Sequence, residues 1–472
     1  MAVSLDGTAL RLPESAISAL GASLRGDLIR PLDPGYDRAR TIWNGMIDRR
    51  PALIARCHNA ADVIQAVDFA RAHNILVSVR GGGHGVSGNA ICDGGVVVDL
   101  SQMTSIEVDT RQRTVRAEAG ALLGDLDRET QAFGLAVPAG TVTETGIAGL
   151  TLGGGLGWLM RKHGLTCDNL IGVDMVTAAG ELIHANDSTH PELMWGLRGG
   201  GGNFGIITAF EYQAASVGPT VLAGFVLHPI DQAREFMAFY GGYTAQAPDE
   251  LTTIGVIRIM PPVSSVPREL HGVRVAGTGV CYVGDPDEGE RVLQPLRDFG
   301  SPLSDTIATT RFVDHQAALD QGVPAGLHYY EKSENLPGLT PDLIDTLVEH
   351  GSNVKSPYAF VGLFQLGGAV GRVDEPSTAY TNRDAAYSLV ISSGWDDPAQ
   401  TDTHVAWVRT FWNAIQPFST GGAYINFMSH DEGQDRVIAA YGPEKYQRLV
   451  DLKNTYDPTN LFRLNQNIKP TV

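Results

Sequence analysis

Short runs of β-branched and apolar residues, separated by turn residues, dominate the first half of the chain. Residues 52–55, 75–79, 95–100, 105–109 and 114–118 read as strands. Between the first two, Val63, Ile64, Ala66, Val67 and Ala70 recur at helical spacing behind Asn59, a residue suited to an N-cap. The pattern predicts further helices over 122–133 and 191–198, the second with Pro191 in its first turn. Strands are expected over 173–178 and 205–213. Val217-Gly218-Pro219 marks a shift in pattern. Beyond it, strands at 221–227, 254–259 and 277–283 alternate with helical stretches at 232–240, 286–299 and 341–350, which reads as an α+β unit. A last helix spans 443–453 and leads into an irregular tail.

Composition narrows the class. Hydrophobic residues make up 43% of the 472 and charged residues 19%, enough for a core and too apolar for wholesale disorder. The net charge of −18 repels phosphate backbones and argues against nucleic acid as a partner. No apolar run approaches the ~18 residues of a membrane span, and no basic, apolar leader opens the chain. A cytoplasmic location and no membrane partner are therefore expected. Cys57, Cys92, Cys167 and Cys281 are dispersed without a CxxC pair. They read as packed thiols, and no metal site is expected.

Glycine changes the picture most. There are 55, against a usual ~7% of residues, and they cluster at 81–88, 146–157 and 199–205. Two stretches, 83–88 and 200–205, fit GxGxxG. Neither is followed by a helical pattern, so a dinucleotide-binding Rossmann site is rejected. No GxxxxGK[ST] occurs. Three loops with exposed backbone N–H groups can still wrap a large phosphate-bearing ligand without help from a helix terminus. His84 lies inside the first of them.

The order of Arg80-Gly81-Gly82-Gly83-His84-Gly85, Gly153-Gly154-Gly155-Leu156-Gly157, Arg198 to Gly205, Tyr456 to Arg463 and Asn465 to Ile468 resembles the berberine-bridge-enzyme-like flavoproteins of the vanillyl-alcohol-oxidase superfamily, and is similar to their bacterial members with one covalent flavin bond. The resemblance implies an α+β fold. A PCMH-type FAD-binding domain of two α+β subdomains, from residues 1–215 and 418–472, would hold an inserted antiparallel-sheet substrate domain, 216–417. It implies FAD bonded covalently through His84. Val142 stands where a second, cysteinyl link occurs in many members, so a single bond is expected. Cofactor contacts are expected from Arg80, Gly81, Gly82, Gly83, Gly85, Val86, Thr143, Gly146, Gly149, Gly153, Gly154, Gly155, Gly157, Asn203, Gly205, Ile206, Asn465 and Asn467.

On the substrate side, the resemblance makes Tyr424 the catalytic base, provided its phenol pKa is lowered. Asn426 would be its hydrogen-bonding partner. Thr145 would replace an apolar residue that governs oxygen access. Tyr329, Tyr330 and Lys332 are expected on a strand facing the pocket, and His163 is a lesser acid/base candidate. The implied partners are a small-molecule substrate and O2. The implied reaction is hydride transfer from an alcohol, glycoside or amine with release of H2O2. An oxygenase and a flavin-retaining binding protein stand as alternatives.

Overall fold

The computed structural model describes residues 2–472. Three sheets organise it. The first combines β1 (Asp27–Ile29), β2 (Leu53–Arg56), β3 (Val77–Arg80) and β4 (Val96–Asp99) in the order β1-β2-β4-β3. β4 runs parallel to both β2 and β3, and all four of its residues are buried. That is why its three valines follow one another without polar alternation. The helix α1 (Ala60–Ala72) crosses from β2 to β3, and the Asn59 side chain accepts from the Asp62 N–H at 3.1 Å, as its N-cap pattern predicts.

The second sheet is antiparallel. It contains β5 (Ile106–Asp109), β6 (Thr114–Glu118), β7 (Leu170–Thr177), β8 (Leu182–Asn186) and β9 (Gly205–Gln213), ordered β8-β7-β9-β6-β5. One apolar core joins these two sheets with α1, with α2 (Leu123–Gln131) and with the C-terminal helix α9 (Pro443–Tyr456). The 146–157 stretch is not wholly loop. Residues after Gly146 form α3 (Ile147–Gly153), ended by Gly154 at φ 129°. The helix α4 (Pro191–Leu197) follows β8.

The third sheet draws on β10 (Thr220–Pro229), β11 (Leu251–Ile259), β12 (Arg274–Tyr282), β13 (Ser304–Asp305), β14 (Ala308–Arg311), β15 (His328–Leu336), β16 (Phe360–Gln365) and β17 (Tyr387–Trp395). Its order is β13-β10-β12-β11-β16-β17-β15, with β14 also on β10, and every pairing is antiparallel. The helices α5 (Ala233–Thr244), α7 (Pro341–Gly351) and α8 (Thr401–Ile415) cover one face through a core of their own, and α6 (Pro286–Asp298) packs near β10. The opposite face turns toward the glycine loops. Among the described residues no helix is long and apolar enough to cross a membrane.

Candidate functional site

A cavity of about 350 Å³ opens where the first two sheets meet the bare face of the third. Its first wall is backbone. Gly81, Gly82, Gly83 and Gly85 leave β3 together with His84 and Val86, and Gly146 and Gly149 face them across the gap. A Cβ on Gly82 would stand 2.5 Å from Gly146 N, so the two loops touch main chain to main chain. Val77, Val79, Leu100, Ile206 and Ile207 make an apolar slot behind them. Gly201, Gly202, Gly205, Asn465 and Gln466 close the far end.

His84 is half-buried. Its ring stacks on Trp43 at 4.3 Å and 18°, and Trp43 stacks on Tyr329 at 3.8 Å and 14°. Loss of water around the imidazole pushes its pKa down to about 4, so the ring is neutral near pH 7. Its Nε2 is enclosed and has no hydrogen-bond partner. Asn44 fixes this corner. Its Nδ2 donates to Val86 O at 2.8 Å and Tyr329 O at 2.9 Å, and its Oδ1 accepts from Tyr329 N at 2.9 Å. The start of β15 is thereby tied to the histidine loop.

The opposite wall comes from the third sheet and the 424–427 turn. Glu331, Phe360, Phe364, Tyr424, Asn426, Phe427 and Val323 face the cavity. Glu331 is 8% exposed and accepts from Ser392 Oγ at 2.8 Å. Burial is the dominant cause that raises its carboxyl to about 7, and the serine only partly offsets it. Tyr424 Oη accepts from Gly155 N at 2.9 Å and Asn426 Nδ2 at 2.8 Å. Desolvation nevertheless raises that phenol to about 12. The lowered pKa that a tyrosyl base needs is therefore not found, and the hydroxyl instead joins the 424–427 turn to the glycine segment. Thr145 faces the cavity, and its hydroxyl finds no protein partner among the described residues.

Other expected residues stand behind the wall. Arg80 Nη1 donates to Ala39 O at 2.6 Å, and Thr143 N donates to Asp320 Oδ1 at 2.9 Å. Gly153, Gly154, Gly155 and Gly157 serve close packing: added Cβ atoms would meet Asn426, the Tyr380 ring, Thr166 and, at 1.5 Å, Ala139 O. Asn203 is fully buried and clasps the tail, accepting from Ile468 N at 3.0 Å and donating to Gln466 O at 3.3 Å. Asn467 lies outside the cavity wall, its Oδ1 enclosed and unpartnered. His163 is also outside the wall, pushed down to about 4 by burial and the neighbouring Lys162.

Strand periodicity separates the expected trio on β15. Tyr329 lies on the cavity side with Glu331. Tyr330 and Lys332 project the other way, where Lys332 Nζ meets Glu432 at 2.7 Å. Nothing in the sequence singles out Glu331, because a strand buried on both faces shows no polar alternation.

The donor set suits a flavin dinucleotide. Glycine main chain lies open for phosphate, an apolar slot awaits a ring system, and Asn465 Oδ1 and His84 Nε2 are enclosed without partners. Fold and site together define a PCMH-type flavoprotein. The family model described as FAD binding domain matches residues 51–186, and that described as berberine and berberine like matches 423–469. (R)-6-hydroxynicotine oxidase of Paenarthrobacter nicotinovorans is 33% identical over 95% of this chain and 97% of its own. An FAD-linked oxidoreductase of Dictyostelium discoideum is 32% identical over 91% of both. The solved structure of 6-hydroxy-D-nicotine oxidase from Arthrobacter nicotinovorans superposes with a TM-score of 0.86 at 29% identity, covering 98% of this chain and all of the other. The chain belongs to the berberine-bridge-enzyme-like family of FAD-linked oxidoreductases.

Proposed function

We propose that the protein is an oxidase of a small organic alcohol, glycoside or amine, carrying FAD on a single covalent bond to His84. The observation that supports this most is the convergence of the glycine cradle, a neutral unpartnered imidazole and a buried carboxyl on one cavity. A hydride leaves the substrate carbon and a proton leaves its O–H or N–H, while O2 takes up two electrons and two protons as H2O2. FAD supplies the hydride acceptor and the route to oxygen. The glycines of 81–85, Gly146, Gly205 and Asn465 would hold it. Val142 lines the cavity but carries no thiol, and the four cysteines are buried away from it, so neither offers a second attachment.

The chain's own chemistry lies on the other wall. Glu331, ionised above about pH 7, takes the substrate proton. Phe360, Phe364 and Phe427 exclude water and hold an apolar body against it. Asn426 and Tyr424 keep the turn in place. The test is a panel of alcohols, sugars and amines, read by anaerobic bleaching of the flavin and by H2O2 on readmission of air. Bound flavin that no member bleaches would favour a flavin-retaining binding protein.

Thr145 supports a second reading. Thr145 lines the cavity, and a hydroxyl there can hydrogen-bond O2 or a peroxide, as an oxygenase would require. Oxygen-18 from labelled O2 in the organic product would support that reading, and label confined to H2O2 would leave the oxidase.

A further inference from the structure

One rung of the third sheet crosses four strands. Arg258 pairs with Phe360, Phe360 with Ser392, and Ser392 with Glu331. Residues directly opposite in such pairs project to the same face, so all four belong to the cavity side. Glu331 and Phe360 line the cavity itself. The Arg258 guanidinium lies 6.0 Å from the Phe360 ring centroid. A Cβ on Gly322 would come within 3.5 Å of both its terminal nitrogens, and the next residue, Val323, is part of the wall.

This guanidinium is underused. Arg383 meets Asp168 and Arg436 meets Glu334, whereas Arg258 has no carboxylate partner among the described residues. Its Nε donates to Ile259 O at 3.3 Å and Nη2 to Pro357 O at 3.2 Å, both long, and Nη1 donates to no protein atom. Removal from water lowers its pKa to about 10, with no acid to offset the cost. A half-buried cation with an open fork matches a carboxylate in charge and shape.

We propose that Arg258 is the subsite for a carboxylate of the substrate, which is therefore an organic monocarboxylic acid with an apolar or aromatic body. The body lies over Phe360, and the oxidisable O–H or N–H end points to Glu331. The two ends of the rung are three strand spacings, or about 14 Å, apart at Cα, and both side chains reach inward from them. Orientation follows from charge. A reversed ligand would set its carboxylate against Glu331 and leave the guanidinium empty. A single charge is specified because the −18 of the whole chain opposes polyanions.

The reacting end of this assignment rests on the oxidase reading, and the binding end does not. The experiment is isothermal titration calorimetry of the full-length, flavin-loaded protein with phenylacetate and 3-phenylpropionate, each against its primary amide. The acids should bind about tenfold tighter or more, the worth of a charge-assisted pair. Arg258→Met should erase the preference, and Arg258→Lys should keep part of it. An unchanged flavin spectrum reports that a variant is folded, and Arg258→Gln replaces the Met variant if it is not. Equal binding of acid and amide, a preference that survives Arg258→Met, tighter binding of phenethylamine, or no binding of either acid at millimolar concentration would each overturn the assignment. Calorimetry needs no turnover, so a chain that binds acids but bleaches with nothing would sink the oxidase reading alone.

Discussion

A carboxyl group with one serine for company and no cation nearby keeps its proton to higher pH than one in water. Glu331 is in that position, and the carboxylate form is the one that accepts a proton. Anaerobic flavin reduction should therefore rise with pH through about 7 and level off above it. Glu331→Gln should lower the plateau by about 10²–10⁴-fold and flatten that limb, as stopped-flow reduction across pH will show. Tyr424→Phe should leave the limb in place. It removes the acceptor of two buried donors, and should cost about 1–3 kcal/mol in denaturant unfolding. His84→Ala should release its flavin into the supernatant on acid precipitation, whereas the parent protein keeps its colour in the pellet.

Elements differ in how far their sequences disclose them. The β4 strand and α1 are plain in the chain, because one is built on three successive valines and the other repeats at helical spacing behind a cap. The α3 helix is hidden, since its seven residues include two glycines that read as loop. β15 is harder still. Glu331, Lys332, Ser333, Glu334 and Asn335 are all buried, and only tertiary partners such as Ser392, Glu432 and Arg436 make that tolerable. No local pattern announces which of them faces the cavity. The histidine loop was legible as a motif, but its contact with Gly146 was not, because that contact joins backbones 64 positions apart in sequence. It makes a sharp prediction. Gly146→Ala places a methyl 2.4 Å from Gly82 N, so the loops must part and flavin content per chain should fall by more than half, measured by absorbance after purification.

At the scale of the molecule, buried charge ties the sheets together. Asp168, beside the glycine segment, meets Arg383 of the chain leading into β17 at 2.6 Å, with both side chains almost wholly enclosed. Removing one partner strands the other, so Arg383→Met should cost about 3–5 kcal/mol in equilibrium unfolding. Protonation acts globally too. Asp127 and Glu331 are both raised to about 7 by burial, so the folded chain binds their protons more tightly than the unfolded chain does. Stability from these groups is then full below about pH 4 and is lost as pH rises through about 7. Thermal melting of Asp127→Asn should decline less between pH 5 and pH 8 than that of the parent.

Asn203 grips residues 466 and 468, and the neighbouring Asn465 and Gln466 complete the far end of the cavity. A nascent chain on the ribosome can therefore assemble the histidine corner long before the vessel is watertight. Cofactor loading is then expected only once the last stretch is made, and a chain ended by a nonsense codon a few positions short of residue 465 should purify without bound flavin, as absorbance will show.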